Sequence, residues 1–158
     1  MSEFGFSDHD HSSCIAQTVR EVEAQCAAER LQLTPVRRRV LEILLREHQA
    51  LGAYDILDVL RAEGLGSQPP VAYRALDFLV KHGFAHRIEK LNAFVACTHP
   101  GEDHAPAFLI CRDCNGVAEA QSARVALDDT ARASGFAIER ATLEFEGLCP
   151  KCQTGGRT

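Results

Sequence analysis

The sequence predicts an α+β protein in two parts: a helical unit closed by a β-hairpin, then a small α/β unit stapled by metal at its two ends. Three observations carry this. Cys111-Arg-Asp-Cys114 and Cys149-Pro-Lys-Cys152 are two Cys-x-x-Cys knuckles with 34 residues between them, a gap longer than a zinc ribbon needs, so a folded unit must lie between them. Apolar residues recur at helical spacing in four stretches of the first half. Two short apolar runs, 84–88 and 93–97, follow the last of these stretches.

A chain of 158 residues with 46% hydrophobic content fits one globular domain or two small ones. No apolar run is long enough to span a membrane, and the N-terminus lacks the charge and apolar stretch of a signal peptide. With no export signal, the seven cysteines read as thiolates rather than disulfides. The expectation is a cytoplasmic protein with no membrane partner.

The net charge of −5 argues at first against nucleic acid, but its distribution reverses that. Residues 1–29 hold one basic and six acidic side chains, residues 30–90 ten basic and seven acidic, and residues 91–158 six and nine. Local charge sets a phosphate footprint, and the one basic stretch contains Arg37-Arg38-Arg39 and Arg74. A run of arginines can also be a plain solvated helix face.

Residues 1–14 read as a polar, flexible tail, in which His9, His11 and Cys14 could bind a metal only at an ordering cost. From Ile15 to Arg30, Val19, Val22, Cys26 and Ala27 form a helical stripe with Cys26 on the buried side. Thr34-Pro35 starts a second helix, with Thr as N-cap and Pro at the first position; Val36, Val40, Leu41, Leu44 and Leu45 form its apolar face. Gly52 breaks the chain. Ala53-Tyr54-Asp55 opens a third helix with Ile56, Leu57 and Leu60 inward, ending near Gly64. A fourth runs from about Pro70 to His82, stopped by Gly83, with Ala72, Leu76, Leu79 and Val80 on one face and Arg74 and Lys81 on the other.

The two apolar runs then read as a hairpin. If Leu91-Asn92 is a two-residue loop, His86 stands opposite Cys97. Helices followed by a hairpin is the winged-helix order, in which the last helix enters the DNA major groove. Domain bounds follow: a winged helix-turn-helix DNA-binding domain over 15–97, a hinge over 98–106, a dimerisation domain over 107–152 and a tail over 153–158. In the dimerisation domain, 107–110 and 117–121 read as strands, 122–134 as a helix ended by Gly135, and 136–145 as a last strand. Such a unit is small for a monomeric core, so a homodimer across its sheet is expected. Its four cysteines can form a closed tetrahedral cage for a structural Zn²⁺.

With these residues in view, the chain resembles the ferric-uptake-regulator family from about residue 15 to 152. The marks are Leu33-Thr-Pro-x-Arg37, Ala53-Tyr-Asp-Ile-Leu57, Ala72-Tyr-Arg-Ala-Leu76, His82-Gly-Phe84 and the two knuckles. Within the family it is most similar to the regulators of zinc uptake. The family's DNA-reading helix usually begins Thr-Val-Tyr-Arg; here it reads Val71-Ala72-Tyr73-Arg74, so a hydroxyl is lost and the Tyr-Arg pair kept.

The resemblance implies a zinc-responsive repressor that binds double-stranded operator DNA as a homodimer and controls zinc homeostasis genes. Iron, manganese or peroxide sensing is the alternative within the family. It implies two Zn²⁺ per chain: one structural, on Cys111, Cys114, Cys149 and Cys152, and one regulatory, on His86, Cys97, His104 and Glu119. His99 competes with His104, which the family spacing favours. The thiolate of Cys97 favours zinc over Fe²⁺ by ligand softness. Tyr54, Tyr73, Arg74 and Arg37 are expected at the DNA, Arg74 and Tyr54 at bases and Arg37 at a phosphate. A catalytic zinc needs an open position, and neither set leaves one; no small-molecule substrate and no enzyme activity are expected.

Overall fold

The computed structural model describes residues 11–46, 50–97, 100, 107–120, 127–139 and 141–154. His9, His99 and His104, and nearly all of the expected hinge, lie outside them. The chain divides into two compact units, one of Ser7–Glu102 and one containing Asp103–Thr158. No helix among the described residues is long and apolar enough to cross a membrane.

The first unit holds four helices, α1 (His11–Ala28), α2 (Pro35–Arg46), α3 (Ala53–Ala62) and α4 (Pro69–Lys81), then strands β1 (Ala85–Ile88) and β2 (Ala93–Ala96). Helix α1 starts at His11, four residues before its expected stripe. Val19, Val22 and Cys26 of that stripe are buried, but Ala27 is exposed. Burial raises the Cys26 thiol above its ordinary value, as expected for a thiol used as a small apolar group.

Thr34 caps α2 as the sequence predicts: the Arg37 amide donates to Thr34 Oγ1 at 3.3 Å. Val40, Leu41, Ile43 and Leu44 are its buried face, with Val36 and Leu45 half-buried. Before α3 the Gly52 amide donates to Asp55 Oδ2 at 3.1 Å, which pairs an orphan donor with a carboxylate near a helix N-terminus. Ala53, Ile56, Leu57 and Leu60 of α3 and Ala72, Ala75, Leu76 and Leu79 of α4 close the core, against which Val80 is only half-buried. Helix α4 ends before Gly83, whose φ of 78° is the left-handed conformation that glycine adopts at no steric cost.

The hairpin differs from the expected register. Its loop is four residues, 89–92, closed by an Asn92 N–H to Glu89 C=O bond of 3.2 Å, with Asn92 at φ 47°. Leu-Asn is a poor two-residue turn, whereas Asn tolerates the left-handed state at the end of a longer one. His86 therefore pairs with Val95, not Cys97. The shift is two residues, and because side chains alternate with period two it leaves His86 and Cys97 on one face. Leu51 adds a bridge to Phe94 on the hairpin, with N–H to O distances of 2.9 and 2.8 Å.

The second unit contains β3 (Ala107–Cys111), β4 (Val117–Ala120), α5 (Leu127–Ser134), β5 (Leu143–Gly147) and a short α6 (Pro150–Thr154). The sheet order is β4-β3-β5, with β3 and β4 antiparallel and β3 and β5 parallel. The last strand was expected over 136–145 and lies instead at Leu143–Gly147. Pairing with β3 decides this: Ala107 faces Leu143 and Cys111 faces Gly147, so the strand begins where β3 begins. The sequence reading also missed α6.

Candidate metal centres and nucleic-acid face

The parallel pairing of β3 with β5 is what builds the first metal centre. Cys111 ends β3 and Gly147 ends β5 at the same end of the sheet, so Cys149 falls beside Cys111. Two turns complete the arrangement. The Asn115 N–H bonds to the Cys111 carbonyl at 2.9 Å with Asn115 at φ 59°, folding Cys114 back. The Gln153 N–H bonds to the Cys149 carbonyl at 3.0 Å, placing Cys152 on the single turn of α6.

The four sulfurs of Cys111, Cys114, Cys149 and Cys152 lie within 4.8 Å of one another, and Cys114 Sγ to Cys149 Sγ is 3.9 Å. Zinc–sulfur bonds of about 2.3 Å in a tetrahedron require sulfur–sulfur edges of about 3.8 Å, so the donor set fits zinc in both softness and spacing. Cys111 and Cys149 are buried, Cys152 is half-buried and Cys114 is exposed.

Their protonation also asks for a cation. Backbone N–H groups, first that of Cys114 and then that of Cys149, hold the Cys111 thiol down to about 6. The neighbouring sulfurs, first Cys149 and then Cys111, push Cys152 up to about 12. Four thiolates cannot share this space without a compensating positive charge, which a bound divalent ion supplies.

The second expected set is distributed over the chain. His86, half-buried on β1, and Cys97, buried just after β2, bring a ring nitrogen and a sulfur within 4.8 Å of each other. The Cys97 amide bonds to the Phe84 carbonyl at 2.9 Å, fixing the strand end that carries the thiol. Glu119 is half-buried on β4, paired with Phe108 of β3.

On the nucleic-acid side, Tyr54 opens α3 with 64% of its surface exposed, and Tyr73 lies in the early part of α4 with 43% exposed. Arg74 is exposed on α4, and among the described residues its side chain has no ion pair or hydrogen bond. The arginine run behaves differently. Arg38 pairs with Glu23 and Glu42, and Arg39 with Glu42 and Glu63. Arg37 gives one N–H to the Gln32 carbonyl at 2.6 Å and lies over the Phe78 ring. The positive balance read from composition is therefore largely spent inside the protein near α2 and left open at Arg74.

The sequence reading missed two residues at this face. The Arg61 guanidinium donates to the Ser67 carbonyl at 3.0 Å, tying α3 to the turn before α4, and Phe78 receives Arg37. Neither contact has a signal in local spacing.

Known proteins resemble the chain over most of its length. The zinc uptake regulation protein of Escherichia coli (strain K12) is 36% identical over 139 residues, covering 86% of this chain and 81% of that protein. A zinc uptake regulator complexed with zinc and DNA matches with a TM-score of 0.82 at 35% identity, over 92% of this chain and 97% of that one. Holo XcZur matches with a TM-score of 0.80 at 42% identity, over 88% and 99%. Residues 28–146 match the family model, and the chain belongs to the ferric uptake regulator family.

Proposed function

We propose that this chain is a zinc-responsive transcriptional repressor that binds operator DNA as a homodimer when a regulatory site is zinc-loaded, and so controls zinc-uptake genes. The observation that carries the reading is the donor pair on the hairpin: a His86 ring nitrogen and the Cys97 sulfur within 4.8 Å. Two donors are half of a tetrahedral shell. For the remaining two, the family resemblance names His104 and Glu119.

The roles divide by chemistry. Cys111, Cys114, Cys149 and Cys152 form a closed set of four thiolates, suited to a structural ion whose binding energy is folding energy. His86, Cys97, His104 and Glu119 are a mixed set drawn from both units, and the soft thiolate tilts it toward zinc. Zinc held by these four residues would join parts of the sequence on either side of the expected hinge. In a two-fold dimer such a link bears on the spacing of the two α4 helices, which must match successive major grooves. By linkage, DNA raises zinc affinity by the same factor.

At the DNA, Arg74 offers a guanidinium that can hold guanine O6 and N7 together, while Tyr73 of α4 and Tyr54 of α3 offer exposed rings and hydroxyls. Four protein donors on each ion would leave no open position for a hydrolytic water, and the relatives named above are zinc uptake regulators. The test is operator binding and metal content of one preparation before and after mild chelation. Two zincs per chain with operator binding, falling to one zinc without it, is the expected result. A single zinc at saturation, with Cys97 equally reactive to thiol reagents throughout, overturns the regulatory site.

A further inference from the structure

We infer that Arg37 is a positioning residue for the DNA-reading helix, acting through Phe78, and not a phosphate contact. The inference goes beyond the regulator reading but takes from it that α4 reads DNA. Arg37 lies in the first turn of α2, and its guanidinium carbon stands 4.0 Å from the centroid of the Phe78 ring on α4. Its Nη1 donates to the Gln32 carbonyl at 2.6 Å, and its own amide is held by Thr34 Oγ1. The side chain is thus fixed at both ends between the approach to α2 and the outer face of Phe78.

Phe78 is well placed to transmit this. It packs against the core beneath α4 and meets the rings of His82 and Phe84 at centroid distances of 4.8 and 6.4 Å. It lies one helical turn after Arg74, so the rotation of α4 that seats Phe78 also sets where Arg74 points. A planar guanidinium can lie flat on a ring and still give an in-plane hydrogen bond to a carbonyl, whereas the compact ammonium of lysine cannot satisfy both. The neighbouring Arg38 and Arg39 are committed to carboxylates, so the whole run serves to fix helices.

Two measurements test this. The first is a double-mutant cycle in urea with Arg37→Ala, Phe78→Leu and the pair, on zinc-loaded protein. The expected result is coupling: the double variant unfolds at no lower urea than the worse single variant, and Phe78→Tyr, which keeps the ring, preserves the full response to Arg37→Ala. Additive effects overturn the inference. The second is operator affinity against salt. Arg37→Ala should weaken operator binding about two- to fivefold, the scale of one exposed cation–π contact, with the salt slope unchanged, and Arg37→Lys should not restore it. A slope that falls by about 0.9 per protomer, or full rescue by lysine, shows a phosphate contact and overturns it. If the wild-type protein binds no operator at any zinc level, the regulator reading fails, while the urea cycle still decides the Arg37–Phe78 coupling.

Discussion

The Arg39 guanidinium grips the Glu63 carboxylate with two parallel hydrogen bonds, Nε to Oε1 at 2.6 Å and Nη2 to Oε2 at 2.7 Å. This ties α2 to the residue that caps α3. The hydrogen bond from Arg39 holds the Glu63 carboxyl below its ordinary value of 4.5. A carboxyl depressed in the folded state stabilises the fold above its unfolded value and loses that contribution as pH falls through the folded one. Urea midpoints should therefore fall more steeply in the wild type than in Arg39→Met as pH is lowered from about 5 to 3. Parallel pH profiles for the two proteins would show that the bidentate pair contributes nothing.

The two zinc sets should respond differently in kind to loss of one sulfur. Cys97→Ser swaps a soft thiolate for a neutral hydroxyl, a poor zinc ligand, at a strand end held by its own backbone bond to Phe84. The expected product is a folded dimer whose operator binding no longer responds to zinc. Cys111→Ser removes a buried member of the closed cage, where lost metal energy is lost folding energy, so dimer mass and much of the structure of the 107–154 region should go. Light scattering and operator binding with and without excess zinc check both. A fully zinc-dependent Cys97→Ser protein would sink the sensor assignment.

Arg74→Ala should cost about 1–3 kcal/mol of operator binding, the discrimination carried by one bidentate guanine contact. It should also relax specificity at one base position per half-site. Competition between operator and random DNA is the readout, and an unchanged affinity ratio would remove Arg74 from the reading face.

The turn before α4 supplies a steric test. Gly66 has φ 155°, and a Cβ there would meet Val71 Cγ1 at 2.7 Å. Gly66→Ala should destabilise the first unit by about 1–3 kcal/mol, the scale of one strained backbone residue. Pairing it with Val71→Ala should return part of that loss by clearing the Val71 methyls. Thermal unfolding of the single and double variants reads this out, and equal losses in both would show that the contact with Val71 does not matter.

Much of this protein is determined by local chemistry that a sequence displays. The Thr34-Pro35 cap, the glycine stop at Gly83 and the apolar stripes of α2, α3 and α4 all follow from the helical period and from what a helix end needs. The four-sulfur set is equally legible, because two Cys-x-x-Cys knuckles offer four thiols at the spacing of zinc ligands. The likeness to the family was carried by short runs such as Ala72-Tyr-Arg-Ala-Leu76.

Only tertiary structure decided the rest, because it depends on pairing between distant segments. The β3–β5 register moved the last strand to Leu143–Gly147 and brought Cys149 to Cys111; the loose alternation over 136–145 could not reveal that partner. The hairpin slipped by two residues because Asn92 takes the left-handed state in a four-residue loop, yet the donor pair survived because a shift of two keeps a side chain on its face. Composition could count the arginines of α2 but not see that Glu23, Glu42, Glu63 and the Phe78 ring would receive them. Whether a charge faces solvent or a neighbour is settled by which helix packs beside it, and that is a property of the fold.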